Sequence, residues 1–143
     1  MKKSPILIAS IIVVSLLLAI SFTACEVTTA SLSEATMCRS VDSDMRPVDA
    51  TDIFTTDIPE IFCSVKLSSA PPDTEVKAEW IYVQGELEGT ENTLIDDYTL
   101  TAEGTIYLGF SLTKPEAGWP KGEYKVVLYV DGKEKLSVPF TVQ

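Results

Sequence analysis

The stretch WPKGEYKVVLYVDGKEKLSVPFTV, residues 119–142, decides the fold. Apolar and polar side chains alternate on both sides of Asp131-Gly132, as they do on the two faces of a strand. An Asp-Gly pair between two alternating runs is a strong hairpin signal, because glycine tolerates positive φ. The stretch therefore predicts two antiparallel strands, at residues 122–131 and 134–142. Pro139 cannot donate a ladder hydrogen bond, so we expect the second strand to be at a sheet edge or bulged there.

The period of two extends upstream from this hairpin. Alternating runs bounded by Pro, Gly, Asp and Asn predict five more strands, near residues 51–57, 60–68, 75–84, 93–100 and 104–113. Seven short strands without a helical period predict one all-β domain of β-sandwich type, at residues 48–143. Four rows are expected to face its core: Ile61, Cys63, Val65 and Leu67; Val76, Ala78, Trp80 and Tyr82; Ile106, Leu108, Phe110 and Leu112; and Tyr124, Val126, Leu128 and Val130.

The chain resembles immunoglobulin-like and fibronectin type III-like modules of exported prokaryotic proteins. Trp80 lies in the third strand, and residues 119–124, WPKGEY, lead into a strand, a D-G turn and a final F-x-V strand. The resemblance covers residues 50–143 and implies an Ig-like β-sandwich. Antibody-type domains join their sheets by a cysteine pair, whereas Cys63 has no counterpart in the sixth strand. The resemblance is therefore to the looser Ig-like class, whose members have unrelated functions.

Residues 1–24 have the pattern of a signal peptide. A basic start at Lys2 and Lys3 precedes an apolar run from Ile6 to Ile20, and small residues follow. This run is shorter than the roughly 20 residues that a membrane-spanning helix needs. We therefore expect export and cleavage rather than a permanent transmembrane helix.

The residues at the end of this segment, Phe22-Thr23-Ala24-Cys25, resemble the bacterial lipobox. The resemblance implies cleavage before Cys25 and lipidation of its thiol, with palmitate-type acyl chains that anchor the chain on the extracytoplasmic side of the cell membrane. Two or more acyl chains suffice for stable anchoring. The alternatives are a released protein, cleaved after Ala30, and an uncleaved membrane anchor.

Between the lipidation site and the domain, residues 25–47 are rich in Ser, Thr and acids and have no sustained apolar period. This composition predicts a flexible tether. Lys2 and Lys3 are the only charged residues before Cys25, so the formal charge from Cys25 onward is −12, against −10 for the whole chain. An acidic surface repels phosphate backbones, so we expect no nucleic-acid partner.

The composition also argues against most catalytic chemistry. The chain has no histidine, so a Ser-His-Asp site cannot form, and it contains no G-x-S-x-G motif and no phosphate-binding glycine loop. Its acidic runs do not match a D-x-D-x-D-G calcium loop. We therefore expect no catalytic, cofactor-binding or metal-binding site, and a protein that is not an enzyme.

Two cysteines remain once Cys25 is lipidated. An exported compartment permits a disulfide, so a bond between Cys38 and Cys63 is possible. The alternative is that Cys63 is a thiol in the core and Cys38 is free.

Three aromatic residues are candidates for a contact surface. Tyr107 and Tyr129 point outward by strand alternation, and Trp119 lies in a loop flanked by Pro and Gly. The sequence thus favours a non-enzymatic, tethered module that binds an envelope protein or a surface polymer. The alternative is a carbohydrate-binding module or accessory subunit that serves an enzyme or transporter. An outward aromatic strip would favour carbohydrate, and an unpaired edge or apolar loop patch would favour protein.

Overall fold

The computed structural model describes residues 28–143, and its only regular elements are strands. The all-β prediction is confirmed. Residues 1–24 and Cys25, on which the signal-peptide and lipidation predictions depend, lie outside the described residues. No helix between residues 28 and 143 is long and apolar enough to cross a membrane. The strands are β1 (Ser31–Val41), β2 (Pro47–Ala50), β3 (Ile53–Phe54), β4 (Glu60–Gly85), β5 (Thr93–Thr113), β6 (Gly122–Val130) and β7 (Lys133–Val142).

All seven strands belong to one sheet in the order β2-β1-β4-β6-β7-β3, with β5 paired to the other side of β4. The first half of β4 lies between β1 and the second half of β5, so Cys63 is opposite both Met37 and Phe110. The second half of β4 lies between β6 and the first half of β5, so Trp80 is opposite Val126 and Asp96. These pairs are antiparallel, whereas β3 and β7 are parallel.

The sheet curls into a half-barrel, so the prediction of a two-sheet sandwich is wrong in this respect. The predicted strands at residues 60–68 and 75–84 are the two halves of one long strand, β4. It turns at Pro71-Pro72, between Ser69 (φ 54°) and Asp73 (φ 62°). Prolines suit such a turn because they have no N–H to leave unpaired. In β5 the corresponding position is Gly104, with φ 80°.

The core fills the inside of the curl. Phe140 is its centre: its ring stacks on Tyr124 at 5.0 Å and meets Phe54 and Trp80 edge-on at 5.7 and 5.9 Å. The predicted inward rows are confirmed except at the ends of the β5 row. Ile106 lies on the sheet edge beside the bend and is 44% exposed, and Leu112 is only half-buried.

The tether prediction is wrong for residues 31–41, which form β1. Met37 and Cys38 are both buried there, and the strand pairs with β4 from Ser31 to Cys38. Order begins before the strand, since the hydroxyl of Thr29 donates to the carbonyl of Ser69 at 2.7 Å. A shift of register between Ser33 and Thr36 breaks the alternation, which hides this strand from a period-two pattern.

The hairpin prediction at the C-terminal end is confirmed. Asp131 and Gly132 both have positive φ, 47° and 80°, as a two-residue hairpin turn requires. Strand β3 pairs only with Thr141 and Val142, so at Pro139 strand β7 is at the edge of the sheet, as predicted. The strand predicted at residues 51–57 is reduced to β3, whose Phe54 is buried.

Candidate functional site

Tyr107, predicted to point outward, lies on β5 between two charged groups. Its hydroxyl donates to the Glu34 carboxylate at 2.9 Å, and the Arg46 guanidinium lies 5.4 Å from the centre of its ring. Lys66 approaches the same carboxylate at 3.9 Å. The hydrogen bond to Glu34 raises the pKa of Tyr107. The ring is therefore held in place by partners within the chain.

Tyr129 has the same kind of surroundings on the other half of the sheet. The Lys77 ammonium lies 4.5 Å from its ring centre, and a hydrogen bond to Glu79 raises the pKa of Tyr129 to about 12. It lies on β6, whereas Tyr107 pairs with the first half of β4. The two tyrosines therefore do not form one aromatic strip.

The raised tyrosine pKa values predict that the free energy of unfolding falls in alkali. Tyr107, Tyr124 and Tyr129 all lose their protons more readily in the unfolded chain, where tyrosine titrates near pH 10. Between about pH 10 and about pH 12 the unfolded state then binds fewer protons than the folded state, so stability decreases as pH rises. Urea midpoints measured across this range should fall, and less steeply in Tyr129→Phe. A midpoint that stays constant up to about pH 12 would contradict the assigned contacts.

Trp119 was predicted as a possible contact residue, and this prediction is wrong because only 3% of the residue is exposed. Its indole N–H donates to the carbonyl of Ile58 at 2.8 Å, and its backbone N–H donates to the carbonyl of Thr56 at 3.1 Å. The ring packs edge-on against Tyr124 at 6.2 Å. Trp119 thus contributes to the floor of a cleft rather than to an exposed surface.

That cleft, which we call the apolar cleft, lies where the loop after β4 meets the loop after β5. It encloses about 220 Å³. Its rim carries three large aliphatic side chains that are partly in water, Leu87 (44% exposed), Leu94 (48%) and Ile95 (41%). The full lining is Tyr82, Leu87, Thr90, Thr93, Leu94, Ile95, Pro115, Trp119, Pro120 and Tyr124.

The floor of the cleft is fixed by two tyrosines whose rings meet edge-on at 5.0 Å. The Tyr82 hydroxyl accepts from the N–H of Leu87 and donates to the carbonyl of Lys121, both at 3.2 Å, so it joins the two loops. The Tyr124 hydroxyl donates to the carbonyl of Pro120. Because both hydroxyls are satisfied inside the protein, the floor offers ring surface to an apolar ligand group.

Gly85 allows the two loops to approach each other. A Cβ at this position would collide with the carbonyl of Lys121 and with the hydroxyl of Tyr82. On the other side of the contact, the N–H of Lys121 donates to the Glu86 carboxylate at 2.9 Å. The loop after β4 is therefore held against the start of β6, which shapes the cleft.

One wall of the cleft is an unpaired strand edge. Among residues 28–143, β5 is hydrogen-bonded to β4 alone. Leu94 pairs with Ile81 and Asp96 pairs with Trp80, so Ile95 is an extra residue that forms a β-bulge. The bulge interrupts the alternation and leaves Leu94 and Ile95 on the surface together. We call residues 93–100 the free edge.

Sequence reasoning missed the cleft, although it contained a signal. Leu94 and Ile95 are consecutive apolar residues near the start of a predicted strand, and Leu87 is an isolated leucine among the acids of its loop. Either pattern is also compatible with ordinary core packing. The relation between the two loops depends on the bend in β4, which the sequence pattern did not show.

Both cysteines are buried free thiols, so of the two alternatives that the sequence leaves open the structure has the unbonded one. Cys63 is opposite Met37 and Cys38 is opposite Phe62, and neighbours along a strand point to opposite faces. The thiols therefore lie on opposite faces of the sheet. Burial raises the pKa of Cys63 to about 12 and also raises that of Cys38.

The polar groups of the described residues do not assemble into a metal site. Between residues 28 and 143, no three cysteine, aspartate or glutamate side chains are close enough to hold a metal ion. In the same range, each buried side-chain nitrogen or oxygen has a hydrogen-bond partner.

Comparison with known proteins shows only the fold. No protein-family model matches the chain, and no curated protein is similar in sequence. An alkylpurine DNA glycosylase of Pseudomonas fluorescens, bound to DNA with an abasic site analogue, is 14% identical, with a TM-score of 0.53 over 80% of this chain and 30% of that chain. The β-glucosidase of Listeria innocua is 8% identical (TM-score 0.52, 80% and 16%), and β-glucosidase 3B of Thermotoga neapolitana is 10% identical (0.51, 82% and 16%). The chain thus corresponds to a minor part of each of these proteins.

Proposed function

We propose that this protein is a lipid-anchored, extracytoplasmic module without enzymatic activity, which binds a protein partner at the apolar cleft. The observation that carries the proposal is the exposure of Leu87, Leu94 and Ile95 around a preformed apolar cavity. Contiguous apolar surface of this kind is unfavourable in water, at about 25 cal/mol per Å², and is characteristic of binding sites. Covering it with a partner would remove that cost.

The surface favours a protein partner over a carbohydrate. A sugar ring stacks on an open aromatic face, but Tyr107 and Tyr129 each have a cation over the ring, and Trp119 is buried. Aliphatic side chains beside an unpaired strand edge suit a polypeptide instead, because the edge supplies backbone hydrogen bonds and the cleft takes a side chain.

An Ig-like classification is part of the proposal, and one contact supports it. The Tyr124 hydroxyl bonds to the carbonyl of Pro120, four residues upstream, near the start of the penultimate strand. Ig-like domains have a tyrosine at the corresponding corner, bonded in the same manner. The long, bent β4 and β5 then take the place of strands that are separate in a typical sandwich.

The geometry suits a module that is tethered at one end and binds at the other. Thr29 is bonded to Ser69 at the bend of β4, and Cys25 is only four residues earlier, a reach of at most about 14 Å. From Thr74 at the bend, β4 runs to Gly85 beside the apolar cleft, about 36 Å at 3.3 Å per residue. A lipid on Cys25 would place the bend near the membrane and the cleft away from it.

Chemical cross-linking in intact cells tests this function. The wild-type protein should be purified after cross-linking with a defined protein, identified by mass spectrometry. That protein should disappear in Cys25→Ala, which lacks the anchor, and in Leu94→Asp, which places a charge on the rim of the cleft. Ile53→Asp is the matched control, because Ile53 is 49% exposed on β3, outside the cleft. Recovery of glycan fragments alone, or of no protein above the Cys25→Ala background, would contradict the proposal.

A further inference from the structure

The cleft and the free edge together indicate what kind of partner segment they fit. Building on the proposed function, we infer that the bound segment is an extended stretch of alternating basic and apolar residues. It adds to the free edge as an extra strand, inserts one apolar side chain into the apolar cleft and places a cation against Asp96.

The backbone requirement is met by the free edge. Residues 93–100 pair with β4 on one side, and no strand among residues 28–143 covers the other side. Unpaired N–H and C=O groups along such an edge are a template for another strand, and of the donors here the N–H of Asp97 already bonds to the Asp96 carboxylate at 2.8 Å. Tyr98, the most exposed large apolar residue of this edge at 62%, adds contact area beside the backbone groups.

The side-chain requirement is met because the cleft and the edge share residues. Leu94 and Ile95 belong to the free edge and also form part of the cleft wall. Both side chains are partly exposed at the bulge, beside the position that an added strand would occupy. A cavity of about 220 Å³ has room for one large aliphatic or aromatic side chain. A strand that follows the edge therefore reaches the cleft without a turn.

The charges on the free edge are all negative, which suits a basic partner segment. Residues 86–113 contain six acidic residues and neither lysine nor arginine. Asp96 and Asp97 lie in the middle of the free edge, and they line a further cavity of about 200 Å³ between the two halves of β5, where a lysine or arginine side chain has room. Complementary charge increases the rate of association and excludes partners of the same sign.

The same acids argue against a second copy of this chain as the occupant. Two free edges paired antiparallel about residues 96–97 would place two carboxylates opposite each other on each face of the sheet, since each copy contributes Asp96 and Asp97. Like charges opposite each other destabilise strand pairs, and edge strands commonly use charges and bulges to prevent self-association. The free edge therefore favours pairing with a basic segment and disfavours pairing with a second copy of this chain.

A synthetic peptide tests the inference. The probe is a capped nonapeptide of alternating lysine and leucine, titrated by calorimetry into the full chain held in phosphatidylcholine nanodiscs, with empty nanodiscs as the blank. We expect saturable binding of one peptide per chain. Asp96→Asn with Asp97→Asn, and separately Leu94→Ser, should each weaken binding about tenfold, the loss of roughly one charge pair or one apolar anchor.

Matched controls separate strand addition from general attraction. Asp44→Asn with Asp52→Asn removes the same charge from exposed positions outside the edge and should change affinity less than about twofold. A peptide methylated on alternate backbone nitrogens keeps its side chains but loses half of its donors, and it should not bind. The inference would be overturned if the methylated peptide bound as tightly as the unmodified one. It would also be overturned if the two double aspartate variants lost the same affinity, or if the chain formed dimers that prevented the peptide from binding.

The peptide titration and the cross-linking experiment can fail independently of each other. If cross-linking captures a protein at the cleft and the unmodified peptide does not bind, the inference is wrong and the protein-binding function stands. If the peptide binds at the edge and cross-linking recovers no protein, the function is wrong, although the edge accepts a basic strand.

Discussion

Replacing Met37 by aspartate is expected to remove most of the stability of the domain. Met37 lies on β1, is 3% exposed and faces the core opposite Cys63. A carboxylate there loses its hydration without gaining a partner, because the buried polar side-chain atoms of residues 28–143 are already hydrogen-bonded. An uncompensated buried charge costs about 3–5 kcal/mol, a large share of the 5–15 kcal/mol typical of a domain. Thermal unfolding followed by far-UV circular dichroism should show a midpoint lowered by about 10 °C or more.

Ser33→Asp is the matched control, since it introduces the same side chain into the same strand at an exposed position. Its effect should stay within about 0.5 kcal/mol, as for most surface substitutions. The comparison tests whether residues 31–41 belong to the folded domain. Equal stability of Met37→Asp and Ser33→Asp would mean that this segment is a tether after all, and the assignment of β1 would be wrong.

Trp80→Ala is expected to have an effect of similar size through a different cause. Trp80 is 1% exposed and packs edge-on against Phe140, which also contacts Tyr124 and Phe54. Removing a buried aromatic side chain costs about 3–5 kcal/mol, because the apolar contacts are lost and a cavity remains. The urea midpoint should fall accordingly, with Trp119 fluorescence as the probe.

Tyr98→Ala serves as its control. Tyr98 is also aromatic and also lies beside the second half of β4, but it is 62% exposed. We expect its unfolding midpoint to stay close to that of the wild type. A Trp80→Ala variant as stable as Tyr98→Ala would show that Trp80 does not pack into the core, and the assigned contact with Phe140 would be wrong.

The parts of the fold that could be predicted are those that local sequence determines. The β6–β7 hairpin follows from the alternation on both sides of Asp131-Gly132, because turn chemistry and period two agree there. Trp80 and Tyr124 were assigned to the core on the same basis, and both are buried. These inferences need no knowledge of what each strand pairs with.

The parts that were missed depend on long-range packing. Strand β1 is polar on its outer face and irregular between Ser33 and Thr36, so burial of Met37 and Cys38 becomes visible only when β4 lies beside it. The bend at residues 69–73 joins two predicted strands into one, which changes a sandwich into a curled sheet. The sequence left the bonding of Cys38 and Cys63 open for the same reason, because register decides which face each thiol occupies.

The candidate site was the least predictable feature. Aromatic residues were expected to form a contact surface, yet Tyr107 and Tyr129 are held by charged neighbours and Trp119 supports the cleft from inside. The exposed aliphatic residues Leu94 and Ile95 instead come to the surface through a bulge. A bulge is a property of two paired strands, and the sequence of one strand does not show it.

The central claim, that the apolar cleft meets a protein partner in the cell, is tested most directly by site-specific photocross-linking. A photoreactive phenylalanine derivative would be placed at Leu94, on the rim of the cleft, and at Ile53 as the control, since the two side chains are similarly exposed. We predict one defined protein adduct from position 94 and none from position 53 after irradiation of intact cells. Adducts of equal yield and identity at both positions, or none at either, would contradict the account.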